Sequence, residues 1–387
     1  MSAFFFTRGL KRIRLIHKGL NMSNSVFYFD SVSFDAQTGE IHFTYHVKNG
    51  PEFVEKVVFP GAPFVVDETI KRVLDQVLFL AHIAVGISYY KAFLPDEIQV
   101  LSGTLTRDQA AFFDAFYLKG LGEFAIRNNL NLQGKIHFPF GDNVPEKIVL
   151  PLEAKALVPV GGGKDSCVVM ELLKELKVPA TGVACGGSKS QSACAEKSGL
   201  PYFTFKRIID PKLMELNESG KVYNGHIPIT GVFAFLLWAL ALLRGEKYVV
   251  MACEKSANSG NMQQGDLTIN HQWSKSFEFE KMFYDLTQSI TPNFRYFSLL
   301  RPISEAHIAK LFAQKCAAYF DVFTALVAHA LPPGHALELA RGVVRSAVDL
   351  SGYDKTDTGA DADDVRSGSE LLVIVGNHRD GVAPCTV

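Results

Sequence analysis

Net charge is almost missing from this chain, with 39 Lys and Arg against 40 Asp and Glu. General nucleic-acid binding needs a basic footprint, so no nucleic-acid partner is expected. Cysteine is sparse: the six residues (Cys167, Cys185, Cys194, Cys253, Cys316, Cys385) include no C-x-x-C pair. That spacing signals neither a zinc ribbon nor a disulfide framework, and a reducing, cytoplasmic setting fits it. The strongest apolar run, 231–243, lies between Pro228 and Arg244-Gly245-Glu246. It falls short of the roughly 20 residues a membrane span needs, so it reads as a buried core helix and no stable membrane insertion is expected. Two common nucleotide fingerprints are missing as well, G-x-x-x-x-G-K-[ST] and G-x-G-x-x-G.

What the chain does have is length and apolar content, 387 residues of which 48% are hydrophobic, enough core for two domains. It also has the stretch Ala156-Leu-Val-Pro-Val-Gly161-Gly162-Gly163-Lys164-Asp165-Ser166. An apolar strand runs into three glycines, and a helical pattern follows at once. Such glycines let backbone N–H groups approach an anion, and the new helix adds its unpaired N–H groups and positive dipole end. The run 161–166 resembles the pyrophosphatase loop of the ATP pyrophosphatases, whose consensus is S-G-G-x-D-S. Gly161 replaces the first serine, which removes one hydroxyl and leaves the backbone donors.

Residues 1–24 carry Arg8, Lys11, Arg12, Arg14 and Lys18 and no acid. With a second plausible start at Met22, they read as a basic extension outside the fold. From Ser25 three β runs (26–29, 41–47, 53–59) are separated by Thr38-Gly39 and Asn49-Gly50-Pro51, which predicts an antiparallel meander. Helical patterns follow at 67–93 and 106–117. Beyond residue 151 strands (181–185, 202–205, 247–252) alternate with helical stretches, which implies a parallel sheet with ligands gathered at its carboxyl edge. The expected fold is α/β: an α+β N-terminal domain at 25–150, then a parallel-sheet pyrophosphatase-loop (adenine nucleotide α-hydrolase-like) domain at 151–325. An atypical, partly disordered tail occupies 326–387.

Three polar segments stand where a ligand would gather: Asn224-Gly-His226-Ile-Pro-Ile-Thr230, then Glu254-Lys255-Ser-Ala-Asn258-Ser-Gly-Asn261, then Asn270-His271-Gln272-Trp-Ser274-Lys275-Ser-Phe-Glu278. A helix beginning near Ser274 would put Lys275 and Glu278 on one face. Together with the glycine loop and Gly120-Leu-Gly-Glu-Phe124, these segments resemble the bacterial UDP-N-acetylmuramoyl-L-alanyl-L-glutamate epimerase family, the MurL-type enzymes, from about residue 25 to about 324. The resemblance implies an isomerase of peptidoglycan precursor synthesis. It would convert the terminal L-Glu of UDP-MurNAc-L-Ala-L-Glu to D-Glu using ATP and Mg²⁺, through an acyl-adenylate, with release of AMP and diphosphate.

Under that resemblance Gly161, Gly162, Gly163, Lys164, Asp165 and Ser166 would hold ATP, and Asp165 would also hold Mg²⁺. His271, with Glu254 or Lys255, would move the proton. His226, Thr230, Asn258, Asn261, Gln272, Ser274, Lys275 and Glu278 would bind substrate. The family also implies a cysteine cluster near its C-terminus, and none occurs here. An acidic, small-residue run fills 351–370 instead, which reads as the product of a truncated or frameshifted reading frame. Two other readings stay open: another pyrophosphatase-loop adenylating enzyme (a tRNA-modifying sulfurtransferase or an amide ligase), and a non-catalytic nucleotide-binding regulator.

Overall fold

A nine-stranded sheet organises the chain. The computed structural model describes residues 25–260, 262–264 and 267–323. The basic extension, Asn261 and the tail at 326–387 lie outside the described residues. Three strands open the fold, β1 (Val26–Asp35), β2 (Glu40–Val47) and β3 (Glu52–Val58), and they pair antiparallel as the turn signals predict. Their apolar residues alternate, so that Phe27, Phe29, Ile41, Phe43, Tyr45, Phe53 and Val57 all fall on the covered face. Next come α1 (Glu68–Val85) and α2 (Ile87–Phe93), then β4 (Glu97–Val100), which pairs parallel with β1 at the sheet's end. The single helix expected at 67–93 is thus divided at Gly86. By length and composition 68–93 could cross a membrane, but here it is mostly buried, α1 lying against β1 and α8 (Ile229–Leu243). Two further helices, α3 (Arg107–Gly120) and α4 (Gly122–Arg127), complete this half.

The second half alternates strand and helix: β5 (Glu153–Pro159), α5 (Lys164–Glu175), β6 (Ala180–Cys185), α6 (Lys189–Ser198), β7 (Tyr202–Ile208), α7 (Pro211–Glu218), α8 and β8 (Glu246–Met251). A small hairpin, β9 (Met262–Gln264) with β10 (Leu267–Ile269), precedes α9 (Phe277–Gln288), β11 (Arg295–Ser298) and α10 (Glu305–Lys315). The sheet order is β11-β8-β5-β6-β7-β3-β2-β1-β4, with β11, β8, β5, β6 and β7 mutually parallel. The fold is therefore α/β with a mostly parallel sheet. Helices cover both faces: α5, α6 and α10 pack over Val158, Val160 and Val250, and α1, α3, α8 and α9 over the other side.

The two halves of the sheet meet where β3 pairs antiparallel with β7, Val57 opposite Arg207. Glu55 points inward there. Its carboxylate is fully buried and accepts from Arg207 Nε at 2.5 Å and Nη2 at 3.2 Å, and Arg207 Nη2 also donates to Ser88 Oγ at 2.8 Å. A buried ion pair survives desolvation only with such added hydrogen bonds.

One local expectation is corrected. No α-helix starts at Ser274: Trp273–Lys275 is a 3-10 turn, and Ser276, in extended conformation, caps α9 by accepting from Phe279 N at 3.2 Å. Lys275 and Glu278 therefore stand on different elements and do not pair. Glu278 binds the Lys119 ammonium and accepts from Trp273 Nε1 at 2.8 Å.

Candidate functional site

Strand order reverses beside β5: β6 and β7 lie on one side of it, β8 and β11 on the other. Open parallel sheets bind ligands outside the carboxyl ends of the strands flanking such a reversal. Here those ends carry the glycine loop after β5 and the polar segment after β8.

The loop turns through Gly162 at φ +76°, a left-handed conformation, and α5 begins directly after it. A Cβ on Gly162 would come within 2.7 Å of Ser190 Oγ and 3.0 Å of Gln191 N, so the first turn of α6 closes one wall of the loop. Gly163 occupies the N-cap position of α5 and supplies no side-chain cap. The first N–H groups of α5 are thus left for another acceptor, as at an anion site. Ser166 is buried and its Oγ donates to Gly163 O at 2.9 Å, so its hydroxyl braces the turn. A second glycine turn stands beside the first: β6 is followed by Gly186 and Gly187, both with positive φ, and Ser188 caps α6.

Lys164 lies between two carboxylates. Its Nζ is 2.8 Å from Asp165 Oδ1 and also pairs with Glu305, the first residue of α10. Burial works against the ammonium, but Asp165 and Glu305 outweigh it and the Lys164 pKa lies above its ordinary value. Glu305 is shifted upward, by burial first, with Lys164 opposing and the charges of Asp165 and Glu254 adding. The floor of this region is held by Arg301. It donates to Glu280 Oε2 (2.7 and 3.0 Å), to Lys275 O at 2.8 Å and to Glu254 O at 3.1 Å. One guanidinium thus fixes the 254 segment to the 275 turn. Burial pushes the nearby Cys253 thiol up to about 11, which makes it a packing residue.

A second group gathers at the entry to α8. His226 Nδ1 lies 3.7 Å from Glu123 Oε2, and Glu123 accepts from Arg127 Nε at 2.6 Å. The His226 pKa is lowered, by burial first, with Glu123 opposing and the positive charges of His271, Lys91 and Lys275 adding. Gly120 and Gly122 explain how these groups come so near. A Cβ on Gly120 would sit 2.5 Å from Pro228 Cγ, and one on Gly122 would sit 2.6 Å from Ile269 Cγ2. Only bare backbone lets α3 and α4 press against both the 224–228 turn and the hairpin before His271.

The structure therefore brings Gly161, Gly162, Gly163, Lys164, Asp165 and Ser166 into one loop, and His226, His271 and Lys275 into one electrostatic neighbourhood. Thr230 is half-buried in the first turn of α8. Other candidates have structural partners. Glu254 accepts from Ser256 N (3.2 Å) and from the Ser256 hydroxyl, and Lys255 is exposed. Asn258 Oδ1 accepts from Phe277 N at 2.6 Å, Ser274 is buried, and Gln272 N donates to Asn270 Oδ1 at 2.9 Å. Sequence reading missed Glu305, Arg301, Lys91 and the 186–188 turn. The last had a signal, since Gly-Gly-Ser after a strand and before a helix repeats the pattern of the first loop.

No cluster of three or more His, Cys, Asp or Glu able to hold a metal occurs among the described residues. Mg²⁺ needs no such cage, because it takes one or two carboxylates and completes its shell with water and phosphate oxygens. Asp165 and Glu305 beside an uncapped helix start fit that requirement.

Residues 20–299 match a family model described as the MurL N-terminal domain, a span that includes both the meander and the parallel strands. Three curated relatives each bear the name UDP-N-acetyl-alpha-D-muramoyl-L-alanyl-L-glutamate epimerase. The protein from Xanthomonas oryzae pv. oryzae (strain MAFF 311018) is 43% identical over 292 residues, 75% of this chain and 64% of that protein. The Micromonospora sp. protein is 38% identical over 305 residues, 77% of this chain and 67% of that protein. The Salinispora tropica protein is 37% identical over 305 residues, 77% and 66% of the respective lengths. The matched part of the chain thus spans about two thirds of the length of these relatives.

Proposed function

The chain belongs to the MurL family, and from that premise we propose that it inverts the terminal L-Glu of UDP-MurNAc-L-Ala-L-Glu to D-Glu at the expense of ATP. The observation that carries the proposal is the uncapped start of α5 behind three glycines, with Lys164 set between Asp165 and Glu305 at the sheet's reversal point.

The chemistry explains the need for a nucleotide. A Cα proton beside a carboxylate is very weakly acidic, because its removal places a carbanion next to an anion. In the proposed sequence a glutamate carboxylate oxygen attacks the α-phosphorus of ATP, the bond to the β-phosphate oxygen breaks, and diphosphate leaves. The α-carbonyl is then an acyl phosphate ester, and the Cα proton becomes removable. After inversion, water cleaves the acyl–oxygen bond and gives D-glutamate and AMP.

Each of the groups gathered at the site has a task in this reaction. The N–H groups of the 161–163 loop and of the start of α5 receive phosphate oxygens, and Lys164 balances charge on the departing diphosphate. Asp165, with Glu305 beside it, would hold Mg²⁺, which supplies charge neutralisation when bound. Gly161 in place of the motif's serine leaves this cradle to backbone donors. We assign the proton transfers to His226 and His271. Neutral imidazole accepts a proton and imidazolium returns one, and lowering the His226 pKa favours the accepting form near neutral pH. Lys275, for which no described carboxylate forms an ion pair, is placed to meet an anionic group of the substrate.

The test is to incubate the full chain with ATP, Mg²⁺ and UDP-MurNAc-L-Ala-L-Glu in D₂O. The expected products are AMP, diphosphate and D-glutamate deuterated at Cα. AMP without Cα exchange would redirect the proposal to another adenylating enzyme. The absence of both AMP and Cα exchange would overturn it.

A further inference from the structure

We propose that Lys91 is a positioning residue for the proton-transfer group: from beneath the site, its ammonium clamps the Asn224–Gly225 turn and thereby sets the imidazole of His226. This rests on the proposed epimerisation.

Lys91 lies in the last turn of α2, and only 1% of it reaches solvent. Its Nζ donates to Gly225 O at 2.5 Å and to Asn224 Oδ1 at 3.3 Å. Both acceptors belong to the two residues immediately before His226. The same turn is gripped from its other side, where Asn128 Nδ2 donates to Asn224 O at 3.2 Å and to Phe124 O at 2.9 Å. Within the turn, Gly225 N donates to Asn224 Oδ1 at 2.8 Å. The backbone leading into His226 is therefore tied to α2 and α4 at once, while the imidazole itself faces Glu123.

The charges around Lys91 sharpen the point. Arg207 on β7 is the charged neighbour that acts on it, and Arg207 is already neutralised by Glu55 on β3. On the other side are His226 with Glu123, and beyond them His271 and Lys275. No described carboxylate pairs with Lys91. Burial first, and Arg207 second, bring its pKa down to about 8. An ammonium buried without a counter-ion is costly, and a methionine of similar length would fill the same space without that cost. The charge has two effects that methionine would lack: it holds the turn, and it disfavours a second positive charge on His226, leaving the imidazole free to accept a proton.

The experiment compares wild type, Lys91→Met and Asn224→Ala. The His226 ring is titrated by NMR, assigned with His226→Gln, and Cα deuterium exchange of the substrate is followed against pH. In Lys91→Met the His226 midpoint should rise by about half a unit or more. The acid limb of exchange should move up in pH with it, and the plateau should fall about tenfold, while ATP binding stays unchanged. Asn224→Ala keeps the charge and loosens the turn, so its plateau should fall with the midpoint unmoved. A His226 midpoint unchanged in Lys91→Met would overturn the proposal, as would a wild-type exchange plateau in Asn224→Ala should Lys91→Met fail to fold. Absence of exchange in wild type would refute the epimerase reading instead, and the NMR titration would still decide whether Lys91 sets His226.

Discussion

Replacing Gly162 by alanine probes the proposed nucleotide cradle most directly. Gly162 holds φ +76°, and a left-handed conformation costs an L-residue about 1–2 kcal/mol. The new methyl would also stand 2.7 Å from Ser190 Oγ and 3.0 Å from Gln191 N. Rotation of the serine hydroxyl relieves the first contact, though it breaks the 3.0 Å bond from Ser190 to Ser188 Oγ, a neutral hydrogen bond worth about 1 kcal/mol. The contact with the Gln191 backbone cannot be relieved that way. Gly162→Ala should therefore lower unfolding free energy by about 2–3 kcal/mol, read from urea denaturation with an unchanged m-value. ATP affinity measured by calorimetry should fall at least tenfold, which corresponds to about 1.4 kcal/mol of displaced loop. The companion Gly163→Ala is the control, since Gly163 is extended at φ −116°, ψ 172°. It should cost no more than about 1 kcal/mol, the loss expected when alanine takes an N-cap position. Equal stability of Gly162→Ala and wild type, or equal losses in the two variants, would refute the argument that the loop is shaped by that one left-handed residue.

Other perturbations have equally definite outcomes. Arg207→Met leaves Glu55 buried without its cation and should cost about 3–5 kcal/mol; adding Glu55→Met should recover most of that loss in denaturation midpoints. His82 is fully buried between Thr44 O and Ser102 Oγ, and burial lowers its pKa to about 4. The folded state then binds fewer protons than the unfolded state between about pH 6.5 and 4. Stability should thus be full above pH 6.5 and fall by about 3 kcal/mol on acidification to pH 4, and His82→Gln should remove that part of the acid sensitivity. Lys164→Met should cut AMP formation by at least about a hundredfold, the scale of losing one charged donor to a developing anion. Circular dichroism should show its fold intact.

The meander was legible because its turns are marked by glycine and asparagine and its apolar residues fall on alternate positions. The glycine loop was legible because a strand, three glycines and a helix are contiguous in sequence. What could not be read was anything that depends on strand order. Glu305 reaches Lys164 only because β11 lies beside β8, and β8 beside β5. Glu55 carried a partial signal, as a carboxylate at an inward position between Phe53 and Val57, but nothing local names Arg207 as its partner. His226 and His271 were each visible as polar residues in polar segments. Their proximity follows from Gly120 and Gly122, whose missing side chains let separate elements close up. The helix expected at Ser274 was misplaced because Ser276 adopts the extended capping conformation and takes the helix start for itself.

The seam between β3 and β7 also has a consequence for how the chain is made. Glu55 and Arg207 stand 152 positions apart, so at about 5–20 residues per second a ribosome needs roughly eight to thirty seconds to deliver one to the other. Throughout that interval the finished meander presents an open strand edge, Lys56 to Val58, with an acid on its inward face and no cation to meet it. Lys56, which pairs with Glu40 on β2, keeps a charge on that edge, a feature that discourages pairing with a neighbouring chain. That edge is closed by the arrival of β7, the step at which the early and late parts of the sheet become one.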